Sequence, residues 1–449
     1  PRLRLVHRDG SCWHALNSLG IPPGPASGIK MIMFETDPPA RALLAAKAGS
    51  SGWLSLSDDR DASGETGSVL ALTDNNCRLL RTTLDHHKEV THVLFAGGSP
   101  CQGFSRANPN SKGVRDPRSA LIWVFHALPA AAMAHLGGRA SVAVVLENVV
   151  MKNSSIEGNV SRLLGSTPQL ANANLWTSCD RDRNFWSLYP SSPLPDSGGP
   201  QPDFDAVLFP GWRPLWELTG SNRRPRFSCF LRPWPPGGPQ ENITSFWKFS
   251  LHRYDDHGLV YRPDSPPEVL KKIVELVTGA SNNKAVKQQG SAAHSSRADL
   301  CNWIHAGGGD KYLRPLSANE RDVALGFPSG ASRLPTGYPT NKLGEEFERC
   351  LLSGNAWSPP AAAHVLKHLS RHILEGSPLE TNLAIPKFVS VDATLTFLQP
   401  DGQACTPKGG GEGPPMTSTS SAAGLRSDRS PRPLRADHGR HGTGGAPPL

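Results

Sequence analysis

Paired cysteines are the first thing this chain lacks. Its eight cysteines, Cys12, Cys77, Cys101, Cys179, Cys229, Cys301, Cys350 and Cys405, stand singly, with no CxxC pair and no zinc-finger spacing. That pattern excludes a disulfide-stapled scaffold and a structural zinc site of the common kinds. Scattered thiols suit a reducing compartment, so an intracellular protein is expected. Long apolar runs are missing as well: none approaches the ~20 residues a membrane helix needs, and no signal-peptide pattern opens the chain. Neither a metal nor a membrane partner is expected. Pro1 stands where a methionine would begin a chain, and "LRLV" already reads as a strand, so the sequence reads as a fragment or as lacking its true start.

What is present is length and positive charge. With 449 residues and 37% hydrophobic content, the chain can bury a core large enough for two or three domains. A net charge of +8 favours an acidic partner, of which nucleic acid is the commonest.

Short apolar runs alternate with helical patterns from the start. "LRLV", "IKMIMFETD", "GSVLALTD", "THVLFAGG" and "ASVAVVLENV" read as strands one to five, with "CWHALNSLG", "PARALLAAKAG", "NCRLLRTTLDHH" and "SALIWVFHALPAAAMAHL" as the helices between them. This alternation predicts an α/β fold with a doubly wound, mostly parallel sheet. Residues 1–190 form the expected first part of that domain. Over 191–310 the composition shifts to Pro, Gly, Trp, Arg and Ser, with one clear helical run, "PPEVLKKIVELVTG", and a small irregular domain is expected. Helical periodicity returns in 311–375, at "SANERDVALGF" and "AAAHVLKHLSRHIL", as if the first domain were completed from the far end of the chain. Residues 376–449, rich in Gly, Pro, Ser and Arg, read as a disordered tail.

Open α/β sheets bind ligands at the carboxyl ends of their strands. Three acids fall at expected strand ends: Glu35 after strand two, Asp74 after strand three and Glu147 after strand five. An acid after strand two commonly bonds a ribose hydroxyl, and one after strand three can accept from an adenine amino group, so the three outline a nucleoside-sized pocket. In "VLFAGGSPCQGFS", a buried strand, two glycines and a proline would leave the Cys101 thiol at the mouth of a cleft, a place suited to a nucleophile.

These residues fall into ordered blocks: "GGSPCQGFS", "VVLENV", "RDRNFW", "RPLSANERDVALGFP" and "LLSGNAWSPPAAAHVLKHL". In that order they resemble the DNA cytosine-5 methyltransferases, over roughly residues 5 to 190 and 311 to 370. "SRANPNSKGVRDPRSALIWVF" and "RNFW" look most like the eukaryotic de novo subfamily, which implies a nuclear location. The resemblance implies a Rossmann-like methyltransferase sheet with 191–310 as the target-recognition domain, and duplex DNA with a flipped-out cytosine as partner. It implies that Cys101 attacks C6 of the cytosine, that Glu147 bonds N3 and the amino group, that Arg183 with Arg181 beside it holds the base carbonyl, and that Asn148 braces the glutamate and the loop. S-adenosylmethionine is the implied cofactor, with Glu35 on the ribose, Asp74 near the adenine, Pro100 beside the sulfonium, Asn355 and Trp357 from the returning block, and Gly10 in the first block.

That first block departs from the family pattern. In "LVHRDGSCWHALNSLG" only Gly10 of the usual glycines is kept, Val6 stands where a phenylalanine is expected, and Arg8 replaces the first glycine. Two alternatives stay open: a transfer-RNA cytosine-5 methyltransferase, since one branch of the family uses the same blocks on tRNA, and a catalytically silent nucleic-acid binder.

Overall fold

The two most continuous apolar segments make the centre of the molecule. A computed structural model describes residues 3–7, 11–49, 52–101, 103–104, 113, 116–151, 153–189, 193–195, 203–220, 226–227, 259–282, 311–340 and 344–375. The expected tail 376–449, Gln102, Arg8, Gly10 and most of 191–310 lie outside the described residues. Strands β1 (Leu3–His7), β2 (Lys30–Met33), β3 (Leu54–Leu56), β4 (His92–Gly98), β5 (Ser141–Val149), β6 (Gln169–Asn172) and β7 (Asp182–Ser187) form one sheet in the order β3-β2-β1-β4-β5-β7-β6. Pairing is parallel from β3 to β5, and β7 runs antiparallel between β5 and β6. The chain winds outward from β1 in both directions, so the order reverses between β1 and β4. This is the Rossmann-like doubly wound architecture expected, with a reversed strand inserted near one edge.

Strands buried on both faces read as unbroken apolar runs, and β4 and β5 divide their side chains with a period of two. Leu94, Ala96, Ala143 and Val145 face a layer made by α1 (Ser11–Ser18), α2 (Pro38–Ala48) and the last described helix. Val93, Phe95, Val142 and Val144 face α3 (Asp74–Asp85) and α4 (Val124–Leu136). A third cluster joins α5 (Ser154–Leu164) to Leu146 and Trp186.

Past β7 come two short helices, α6 (Phe204–Val207) and α7 (Leu215–Thr219), then α8 (Pro267–Asn282), α9 (Ala318–Ala324), α10 (Gly344–Asn355) and α11 (Pro359–Glu375). A second, antiparallel sheet has the order β10-β9-β8, from β8 (Arg213–Pro214), β9 (Leu259–Tyr261) and β10 (Leu313–Pro315). It closes over Leu215, Ile273 and Leu313. The change of domain expected at residue 310 does not coincide with a change of sheet, because β10 pairs with β9. From α11, Ala361, Ala362, Val365, Leu366 and Leu369 then return to the first core.

One element differs from the sequence-based expectation. "GSVLALTD" is no strand: Val69–Leu72 is a 3₁₀ turn and the third strand is Leu54–Leu56. Gly67 at φ +75° sets up the turn, Ser68 Oγ accepts from the Leu70 N–H at 3.3 Å, and Thr73 Oγ1 donates to the Leu70 carbonyl at 2.7 Å. Four apolar residues between two such caps carry no period that separates strand from helix.

Candidate active site

Register places the chemistry. Gly98 pairs with Glu147 across β4 and β5, Glu147 pairs with Phe185 across β5 and β7, and Val149 pairs with Arg183. Residues two apart on a strand share a face, so Glu147 and Arg183 are diagonal neighbours on one side of the sheet. Their side chains meet, Arg183 Nε to Glu147 Oε1 at 2.7 Å, with only 13% and 9% of the side chains exposed. Both line one cleft with Ser99, Pro100 and Cys101, which leave the carboxyl end of β4.

Glycine is required at 98 for a steric reason. A Cβ there would lie 2.7 Å from Glu147 Oε2 and 3.1 Å from Trp357 Nε1. Asn148, fully buried, ties the two strand ends together. Its Nδ2 donates to Ser99 Oγ at 2.6 Å, and its Oδ1 accepts from the Val149 N–H at 2.8 Å. Beyond Pro100 the chain turns, with the Phe104 N–H donating to the Cys101 carbonyl at 2.9 Å and the Gly113 N–H to the Gly103 carbonyl at 2.7 Å. Phe104, 2% exposed, anchors that turn in the core beneath α5. Among the described cysteines, Cys12, Cys77, Cys179 and Cys350 are buried and Cys101 is partly exposed. Burial pushes the Cys350 thiol up to about 12 and raises that of Cys77, so neither supplies a thiolate at neutral pH.

Arg181 lines the same cleft, with its guanidinium engaged by the returning block. It is 2% exposed, and its Nη2 donates to the carbonyls of Gly354 at 3.1 Å and Ala356 at 2.7 Å. These carbonyls bracket Asn355. Trp357, next in the chain, stands edge-on to Phe185 with centroids 5.6 Å apart, and its carbonyl accepts from Ser11 Oγ at 3.2 Å. The returning block is thus clamped between β7 and the start of α1.

Asn355 lines the Cys101 cleft and also a second cavity, whose walls include Glu35, Asp37, Leu43, Leu44 and Ala356. Glu35 closes β2: its Oε1 accepts from the N–H groups of Thr36 at 2.8 Å and Asp37 at 2.9 Å, which fixes the carboxylate at the strand end. A carboxylate there, an apolar wall and an amide shared with the cleft are a donor set that fits the ribose-bearing part of S-adenosylmethionine.

Asp74 is a correction. It begins α3 and does not follow a strand, because Val69–Leu72 before it is a 3₁₀ turn. The residues that do follow β3 are Ser57, Asp58 and Asp59, which edge a cavity of about 280 Å³ walled by Phe34, Leu72 and Phe95. Sequence reasoning passed over them because a three-residue edge strand gives almost no pattern; the Asp-Asp pair after "WLSLS" was the available signal.

No family model matches the chain. The fold is similar to the methyltransferase EhMeth of Entamoeba histolytica, over 83% of this chain and 99% of that one, at 11% identity and a TM-score of 0.42. It is similar also to the Dnmt2 methyltransferase of S. pombe, over 82% of this chain and 99% of that one, at 14% identity and a TM-score of 0.42.

The sequence also gave no hint of the clip that fixes both cavities at their acidic edge. Arg41, on α2, donates through Nη1 to the carbonyls of Glu35 at 2.8 Å and Ser57 at 3.0 Å, and through Nη2 it pairs with Asp58 at 2.6 Å. It joins the ends of β2 and β3. Any Cβ on Gly67 would collide with this guanidinium and with the Glu35 carbonyl.

Proposed function

We propose that the chain is an S-adenosylmethionine-dependent cytosine-5 methyltransferase, acting on a cytosine flipped out of DNA. The observation that supports this is the convergence of Cys101, Glu147 and Arg183 on one cleft. A base inside a duplex is out of reach of such a cleft, so it must be extruded. Sγ of Cys101 bonds to C6, and the C5–C6 electron pair moves to C5. Charge that spreads toward N3 and the carbonyl is met by a protonated Glu147 and by the Arg183 guanidinium, already oriented by their mutual contact. Asn148 keeps the loop that carries the nucleophile in register with Glu147. When bound, S-adenosylmethionine supplies the electrophilic methyl group; Glu35 and Asn355 would hold it, with Pro100 at the sulfonium. Loss of the C5 proton and departure of the thiolate then restore the ring. Residues 191–310 would supply target recognition, and their basic, aromatic composition favours DNA as the substrate.

Methyl transfer from labelled cofactor to duplex DNA and to tRNA, offered side by side, tests the reading. DNA should be labelled by the wild-type chain and not by Cys101→Ala. Labelling of tRNA alone would move the substrate, and equal labelling by Cys101→Ala would refute the mechanism.

A further inference from the structure

The small sheet carries a feature that the proposed chemistry leaves unused. In "LFPGWRP", Phe209 to Trp212 form a turn closed by the Trp212 N–H donating to the Phe209 carbonyl at 3.2 Å. Pro210 and Gly211, the latter at φ +80°, are the central residues that a type II turn requires. The turn sets its two flanking aromatic rings against one cation: Arg314 Cζ lies 4.1 Å from the Trp212 ring centroid and 5.7 Å from that of Phe209.

A buried carboxylate fixes both parts of this arrangement. Glu320, 1% exposed, accepts from Arg314 Nη1 at 2.6 Å and Nη2 at 2.8 Å, and from the Phe209 N–H at 2.9 Å. The guanidinium plane is therefore held still while Phe209, whose neighbour Leu208 is buried, keeps 45% of its surface exposed. A buried ion pair is poor evidence of stabilisation by itself; what it secures here is orientation. Arg213 follows the turn directly, and Arg262 Nη2 comes within 3.9 Å of where a Gly211 Cβ would stand. Their carboxylate partners, Asp205 and Asp264, are exposed, so a phosphate can compete for either arginine.

We infer that Phe209, backed by Arg314 and Trp212, is a stacking platform for an unpaired nucleobase of the substrate nucleic acid, with Arg213 and Arg262 on the adjoining phosphates. A rigid exposed π-face beside two arginines matches how single-stranded nucleic acid is gripped. This inference rests on the proposed function, because it takes nucleic acid as the partner.

The test uses the full chain and a single-stranded oligonucleotide carrying 2-aminopurine, whose fluorescence is quenched on stacking. Wild type should bind and quench, Phe209→Leu should bind about fivefold to a hundredfold more weakly with the quench lost, and Phe209→Trp should restore both. Equal binding and quenching by wild type and Phe209→Leu would overturn the platform while leaving the proposed function intact. No binding by wild type to any nucleic acid would overturn both. Unchanged thermal melts and S-adenosylmethionine binding in the variants exclude a folding defect at this exposed position.

Discussion

At the scale of single residues, Gly98 and Glu147 show how little room the site leaves. Gly98→Ala would press a methyl group to 2.7 Å from the carboxylate, which must then leave its contact with Arg183. Methyl transfer should fall by about 10² or more, the cost of losing one preorganised group in the transition state; cofactor affinity and melting temperature, read alongside, should change far less. Full activity in Gly98→Ala would show that the carboxylate position is unimportant. The places of Cys101 and Glu147 at one end of the sheet were legible in the sequence, because Cys101 follows the long buried strand β4 and Glu147 lies near the end of β5. Asp74 was misplaced because the neighbouring run is only four residues long and capped by Ser68 and Thr73. Arg41 was not legible at all: its partners are backbone carbonyls on two strands that only the fold brings together.

Among elements, the telling join is between β7 and the α10–α11 connection. Arg181 spans it, and Asn355 of the same block edges both the Cys101 cleft and the cavity beside Glu35. Arg181→Lys keeps the charge but loses the planar fork, freeing a segment that now receives two hydrogen bonds. Steady-state kinetics should show KM for S-adenosylmethionine raised about tenfold, in line with the loss of hydrogen bonds from a charged donor, with kcat changed less. A fall in kcat at unchanged KM would instead place Arg181 on the reacting base. The sequence pattern had marked the helix of α11 and its return to the first domain, since "AAAHVLKHLSRHIL" is strongly periodic. The clamp that seats it was hidden, because an Arg-x-Arg pair gives no sign of which guanidinium turns inward.

For the whole molecule, buried polar groups fix the small sheet to the helix that follows it, and Glu320 joins Arg314 of β10 to the Phe209 N–H. Burial works to raise its carboxyl, yet the hydrogen bonds and charge of Arg314, with the N–H groups of Phe209 and Ser317, bring it below the ordinary glutamate value. An acid whose native value is depressed adds stability above the unfolded value and loses it as pH falls through the native one. Urea midpoints should therefore decline in the acid range below the ordinary glutamate value, and Glu320→Gln should flatten that part of the profile; an equal acid decline in the variant would contradict the assignment. The most direct test of the central claim is a covalent one. A duplex with 5-fluorocytosine at the target, incubated with the chain and S-adenosylmethionine, cannot lose its C5 proton, so the account predicts a denaturation-resistant adduct whose modified peptide carries Cys101. No adduct with active enzyme, or an adduct at another cysteine, would contradict it.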